Sequence, residues 1–139
     1  MVKKTAIQAI GGFPLGIKSG EDLLTWAKLA VSGAIVYSRK SLAIFNVEGY
    51  SVTEKPKRLP AEDDMVGKEL KKLLKTCPCK GLKLYNALWH KMRSSVYLRL
   101  NMPQKSIYEA VIALSYDPFS YKLYAYILLN LLPKKIRPI

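Results

Sequence analysis

Leu84, Leu88, Met92, Val96 and Leu100 recur at every fourth position, with Tyr85 and Trp89 beside them. That recurrence predicts one long helix from about Leu82 to Leu100. Shorter helical patterns flank it. Val66 to Lys75 sets Leu70, Leu73 and Leu74 on one side, with Lys68, Lys71, Lys72 and Lys75 around them. Cys77 to Gly81 breaks this pattern, and Asn101-Met102-Pro103 ends the long helix. Ser106 to Tyr116 continues through Ile107, Ala110, Val111 and Leu114. Asp117-Pro118 reads as an N-cap followed by proline at the first helical position. It leads into Tyr121 to Leu132, which Pro133 stops. Helices this short are expected to fold against one another as a bundle, with their lysines in water.

The N-terminal third reads differently. Val2 to Ile10 suggests a short strand leading into a helical turn, ended by Gly11 and Gly12. Phe13 is an expected core plug. Ser19 is a suitable N-cap, and Asp22 three positions later nearly completes a capping box. Leu23, Trp26, Ala27 and Ala30 then share a helical face, and Gly33 stands where a left-handed C-terminal residue is expected. Ala34 to Ser38 and Leu42 to Asn46 read as two short strands. A polar connector with Pro56 and Pro60 follows. The pattern gives an α+β chain, predominantly helical, in three parts: a compact segment at 1–48, a linker at 49–64 and a basic helical extension at 65–139.

Charge follows the same division. The chain has 139 residues, with 23 basic and 10 acidic side chains. Residues 1–64 hold nine basic and seven acidic groups, whereas 65–139 hold fourteen and three. The positive field of the second part suits an anionic membrane surface, a phosphate-bearing ligand or nucleic acid, and charge alone does not choose among them. No helix-turn-helix, zinc-finger or ribonucleoprotein wording supports nucleic acid. Lysines interleaved with leucines and aromatics between Lys68 and Leu100 fit an interfacial helix over anionic head groups, with Tyr85, Trp89 and Tyr97 in the head-group zone. The longest apolar run, near Tyr124 to Leu132, is shorter than the ~20 residues that span a bilayer. No secretory leader pattern follows Met1-Val2-Lys3-Lys4. Cys77 and Cys79, one residue apart, and a single histidine, His90, make a poor zinc set, so no metal ligand is assigned within the chain. Two free thiols point to a reducing, cytoplasmic compartment.

One constellation carries chemistry. Gly11-Gly12-Phe13 is followed by Ser19-Gly20-Glu21-Asp22 and, one helical turn on, Trp26. An acidic pair at a helix start after a glycine turn places a carboxylate where a hydroxyl could meet it. Such a carboxylate can also simply steady the helix dipole. Trp26 can pack into the core or offer its face to a ligand.

The GGFxxxxxxGEDxxxW wording resembles the family 2 glycosyltransferases, which have the GT-A fold. The 34–46 segment (AIVYSRKSLAIFN) is similar to the strand pair that follows the acidic helix in those enzymes. Residues 51–64 and the basic helical tail resemble one bacterial branch. The resemblance implies that 1–48 is the C-terminal, acceptor-side part of a GT-A catalytic domain. It implies an inverting transfer of sugar from a nucleotide-sugar donor to a hydroxyl, in polysaccharide or glycolipid synthesis. Asp22 would be the base, and Glu21, Gly20 and Trp26 would contact the acceptor, which could be lipid-linked. A divalent cation, Mg or Mn, would serve the complete enzyme, but its Asp-x-Asp ligands are absent from this chain. Asn46 replaces a histidine that some relatives use near the diphosphate. Glu62-Asp63-Asp64 lies after the acidic helix rather than before it and is not read as the metal motif. The chain is therefore expected to be a fragment, a truncated product or half of a split enzyme, inactive alone and peripheral to the cytoplasmic membrane face. The competing expectation is a non-catalytic basic helical module that binds a partner protein, a membrane surface or nucleic acid.

Overall fold

The computed structural model describes residues 2–17, 19–33, 35, 36, 39, 40, 44 and 59–133. Among them lie six α-helices and no strand: α1 (Lys4–Ala9), α2 (Glu21–Ser32), α3 (Met65–Thr76), α4 (Lys80–Arg99), α5 (Pro103–Tyr116) and α6 (Tyr121–Leu131). The expected predominance of helix is observed, whereas the α+β class and its GT-A sheet are not: the described residues include no strand. The strand expected over Val2 to Ile10 is instead α1, which buries none of its residues. Most of the two strands read within 34–46 and most of the 49–64 linker lie outside the described residues; of the strand positions, 35, 36 and 44 are described and none is in a strand.

α4 is the central element. It packs along α5, and also meets α3 and α6. α2 lies against α3. Leu24 and Ala27 of α2, Val66 and Leu70 of α3, and Leu82 and Trp89 of α4 close one apolar core. Leu24 and Leu70 have no solvent exposure. Truncating either to alanine costs on the order of 2–5 kcal/mol. Tyr85 ties α2 to α4 directly, its hydroxyl donating to the Leu23 carbonyl at 3.1 Å. Ala110, Ala113 and Leu123 form a second core between α5 and α6.

The α4–α5 contact is built from small and polar residues. Ser94 Oγ donates to the Ser106 carbonyl and Ser106 Oγ to the Ser94 carbonyl, both at 2.9 Å. Asn130 Nδ2 of α6 adds a bond to Ser106 Oγ at 2.8 Å. Serine hydroxyls that answer each other's backbone leave little buried polarity unmatched and allow the helices a close approach.

The helix boundaries correct several expectations. α5 begins at Pro103, because a proline at the first helical position loses no bond. Asp117-Pro118 forms a turn, and the N-cap of α6 is Ser120. Ser19 is not the cap of α2; Gly20 is, at φ 87°, without a side-chain bond. Gly33 is extended rather than left-handed. The Leu84, Leu88 and Met92 face of α4 is largely open to solvent. The buried face instead carries Leu82, Asn86, Trp89, His90, Arg93 and Tyr97. Phe13 is half exposed rather than a core plug.

Candidate functional site

Glu21 and Asp22 open α2, as the sequence predicts. Asp22 is exposed, and its Oδ1 accepts from the Leu23 amide at 2.8 Å. Its negative charge, after the effect of burial, helps hold the Tyr85 phenol above its ordinary pKa. The Asp22 carboxylate therefore lies within electrostatic reach of α4. Glu21 Oε2 is buried and has no hydrogen-bond partner among the described residues. Buried polar atoms are usually matched, so this oxygen stands out in the described structure. Trp26 is 46% exposed and does not belong to the core.

The elbow before α2 is set by contact with α4. Gly20 is left-handed at φ 87°, and a Cβ there would come within 2.7 Å of the Trp89 ring and 3.3 Å of Val66. Only glycine permits both the dihedral and the close approach. Trp89 is itself fixed: its Nε1 donates to Asp64 Oδ1 at 3.0 Å. Asp64 is the N-cap of α3, and its Oδ1 also accepts from the Gly67 amide at 3.0 Å. A side chain at Gly67 would collide with that carboxylate.

Behind Trp89 lies a buried polar network. Arg93 Nε donates to Glu109 Oε1 at 2.7 Å and lies 3.8 Å from Asp64 Oδ2. Its guanidinium reaches the Ala61 carbonyl at 3.2 Å and sits 5.7 Å from the Tyr97 ring centroid and 6.0 Å from that of Trp89. His90 Nδ1 lies 2.7 Å from Glu109 Oε2, and its ring stacks on Tyr116 at 6.1 Å between centroids. Burial alone would raise the Glu109 pKa. The bonds from His90 and Arg93 outweigh it and hold the carboxyl below its ordinary value. The network borders a cleft of about 500 Å³, whose rim includes Lys68, Lys71 and Tyr108. A smaller apolar groove of about 190 Å³ runs between Leu23 and α4, along Tyr85, Leu88, Trp89 and Met92. Asp22 lines neither cavity.

Asp64, His90 and Glu109 offer three ligand atoms within 4.8 Å of one another. The set does not fit a divalent cation. Arg93 already supplies the positive charge at both carboxylates, and the His90–Glu109 separation is that of a hydrogen bond. A dication would meet the guanidinium at close range in a buried setting. The arrangement can lock three helices together.

Sequence reasoning missed this network. The signal was present as polar residues at helical spacing, Asn86, His90, Arg93 and Tyr97, and as Glu109, the only acidic residue of α5. Both lay hidden beside the more conspicuous leucine series. Cys77 and Cys79 are free thiols, and Cys79 Sγ caps α4 by accepting from the Leu82 amide at 3.4 Å. No helix among the described residues is long and apolar enough to cross a membrane. No protein-family model, curated protein or solved structure matches the chain.

Proposed function

We propose that this chain is the acceptor side of an inverting family 2 glycosyltransferase, with Asp22 as the base that takes the acceptor hydroxyl proton. The observation that carries the reading is the head of α2. An exposed carboxylate sits on a rigid elbow, beside a second carboxylate with an unmatched buried oxygen and within a turn of a half-exposed tryptophan. A base must be accessible and held in place; the bond from the Leu23 amide to Asp22 Oδ1 and the close approach of Gly20 to Trp89 support that reading. Glu21 and Trp26 would then contact the acceptor sugar. The nucleotide sugar and its Mg or Mn belong to the complete enzyme, because the Asp-x-Asp ligands are not among these residues.

In the complete enzyme, Asp22→Asn is expected to lower sugar transfer by about 10²–10⁴-fold with melting behaviour unchanged, the range typical of losing a positioned base. Near-normal transfer removes Asp22 from the mechanism. A second reading, a non-catalytic basic helical module, is favoured by the absence of Asp22 from both cavities. Absence of any sugar transfer by the parent chain supplied with a nucleotide-sugar-binding half, with partner binding retained by Asp22→Asn, would select it.

A further inference from the structure

α6 presents an outer face with the character of an inner one. At ~100° per residue, Tyr121, Tyr124, Ala125, Leu128 and Leu131 fall within an arc of about 120°. The opposite side, with Leu123, Tyr126, Ile127 and Asn130, packs toward α5 and α4. Leu128 is 64% exposed and Leu131 70%. Phe119, in the turn leading into the helix, is 91% exposed. A helix on a protein surface normally turns charged residues outward, as α3 does with Lys68, Lys71, Lys72 and Lys75. α6 has no acidic residue, and its one charge, Lys122, stands at the flank of the apolar arc.

The charge of the adjoining sequence points to what this face meets. From Pro118 to the end, the sequence contains Lys122, Lys134, Lys135 and Arg137 and no acidic residue. Exposed leucines, aromatics at one end, Lys122 at the flank and a basic sequence after Pro133 suit an anionic bilayer surface, with acyl chains for the leucines, the head-group boundary for the aromatics and phosphates for the basic residues. A protein partner would need an apolar patch rimmed by acidic residues to answer both features, whereas an anionic bilayer offers that layering over its whole surface. We infer that the Tyr121–Tyr124–Leu128–Leu131 face of α6 lies on an anionic lipid surface, inserting its leucines below the head groups. The sequence expectation put the interfacial segment between Lys68 and Leu100; the present inference puts it on α6. The inference does not depend on the glycosyltransferase reading.

The test uses the intact chain with phosphatidylglycerol-rich and phosphatidylcholine vesicles. Cosedimentation with the former should be strong and should weaken as salt rises. The double variant Leu128→Gln with Leu131→Gln keeps the charge and should bind at least about tenfold more weakly, since each leucine withdraws apolar surface from water. Leu88→Gln, on the exposed face of α4, should bind as the parent does. Circular dichroism establishes that each variant is folded. Independently, Tyr124→Trp should give emission quenched by lipids brominated on the acyl chain, beyond the quenching of Trp26 and Trp89 in the parent. Equal vesicle binding by the double variant, or no added quenching from Tyr124→Trp, overturns the inference. A dimer of the parent that the double variant dissolves, without vesicle binding, assigns the face to a second copy and overturns it too.

Discussion

Replacing Gly20 by alanine tests whether the buried network positions the head of α2. Two costs are expected. The left-handed dihedral, φ 87°, costs an alanine about 1–2 kcal/mol. The new Cβ would fall 2.7 Å from Trp89 Cη2 and 2.8 Å from Cζ3. The ring cannot swing aside without leaving Asp64, so the contact adds the roughly 1–3 kcal/mol of an overpacked core. The total is about 2–5 kcal/mol. Gly16 is the internal control. Its φ is 80°, yet a Cβ there meets nothing within 4 Å. Gly16→Ala should therefore cost only the dihedral strain, and any stiffening of the unfolded chain is common to both variants. Urea unfolding followed by tryptophan emission reads the difference. With a slope of roughly 2 kcal/mol per molar, the Gly20 variant should unfold about 0.5–1.5 M earlier than the Gly16 variant. Replacing Trp89 by leucine should narrow that gap. If Gly20→Ala costs no more than Gly16→Ala, Trp89 does not press on the elbow, and the proposed link between the network and Asp22 fails.

Three further predictions concern charged groups. The Glu109 carboxyl is held below its ordinary value by His90 and Arg93 against the effect of burial, so its contribution is present above the unfolded-state pKa and is lost as pH falls through the folded one. Stability should decline below about pH 4.5, the reference value for this group, and Glu109→Gln should flatten that decline in urea midpoints measured from pH 7 to pH 3. Arg93→Met should cost about 3–5 kcal/mol in the same assay by leaving the buried Glu109 and the half-buried Asp64 carboxylates without their cation. Lys105→Met, which breaks the exposed Lys105–Glu62 pair, should cost no more than about 1 kcal/mol.

Local signals in the sequence determine most of the helical layout. Apolar recurrence places α3, α4 and α6 within one or two residues of their observed ends, because helix formation answers to nearest turns. The acidic pair at the start of α2 is legible for the same reason. Which face of α4 turns inward is not local. The leucine series promised one face, and the fold chose the other, because Arg93 and His90 find a carboxylate only when α5 brings Glu109 to them and α3 brings Asp64 to Arg93. Those partners are sixteen to twenty-nine residues away in the chain. Gly20 is likewise an ordinary turn glycine in the sequence. Its need for a bare Cα arises only once Trp89, sixty-nine positions later, lies against it. Periodicity records what a segment can form; burial of charge and close approach are settled between segments, where pairing energy and excluded volume act.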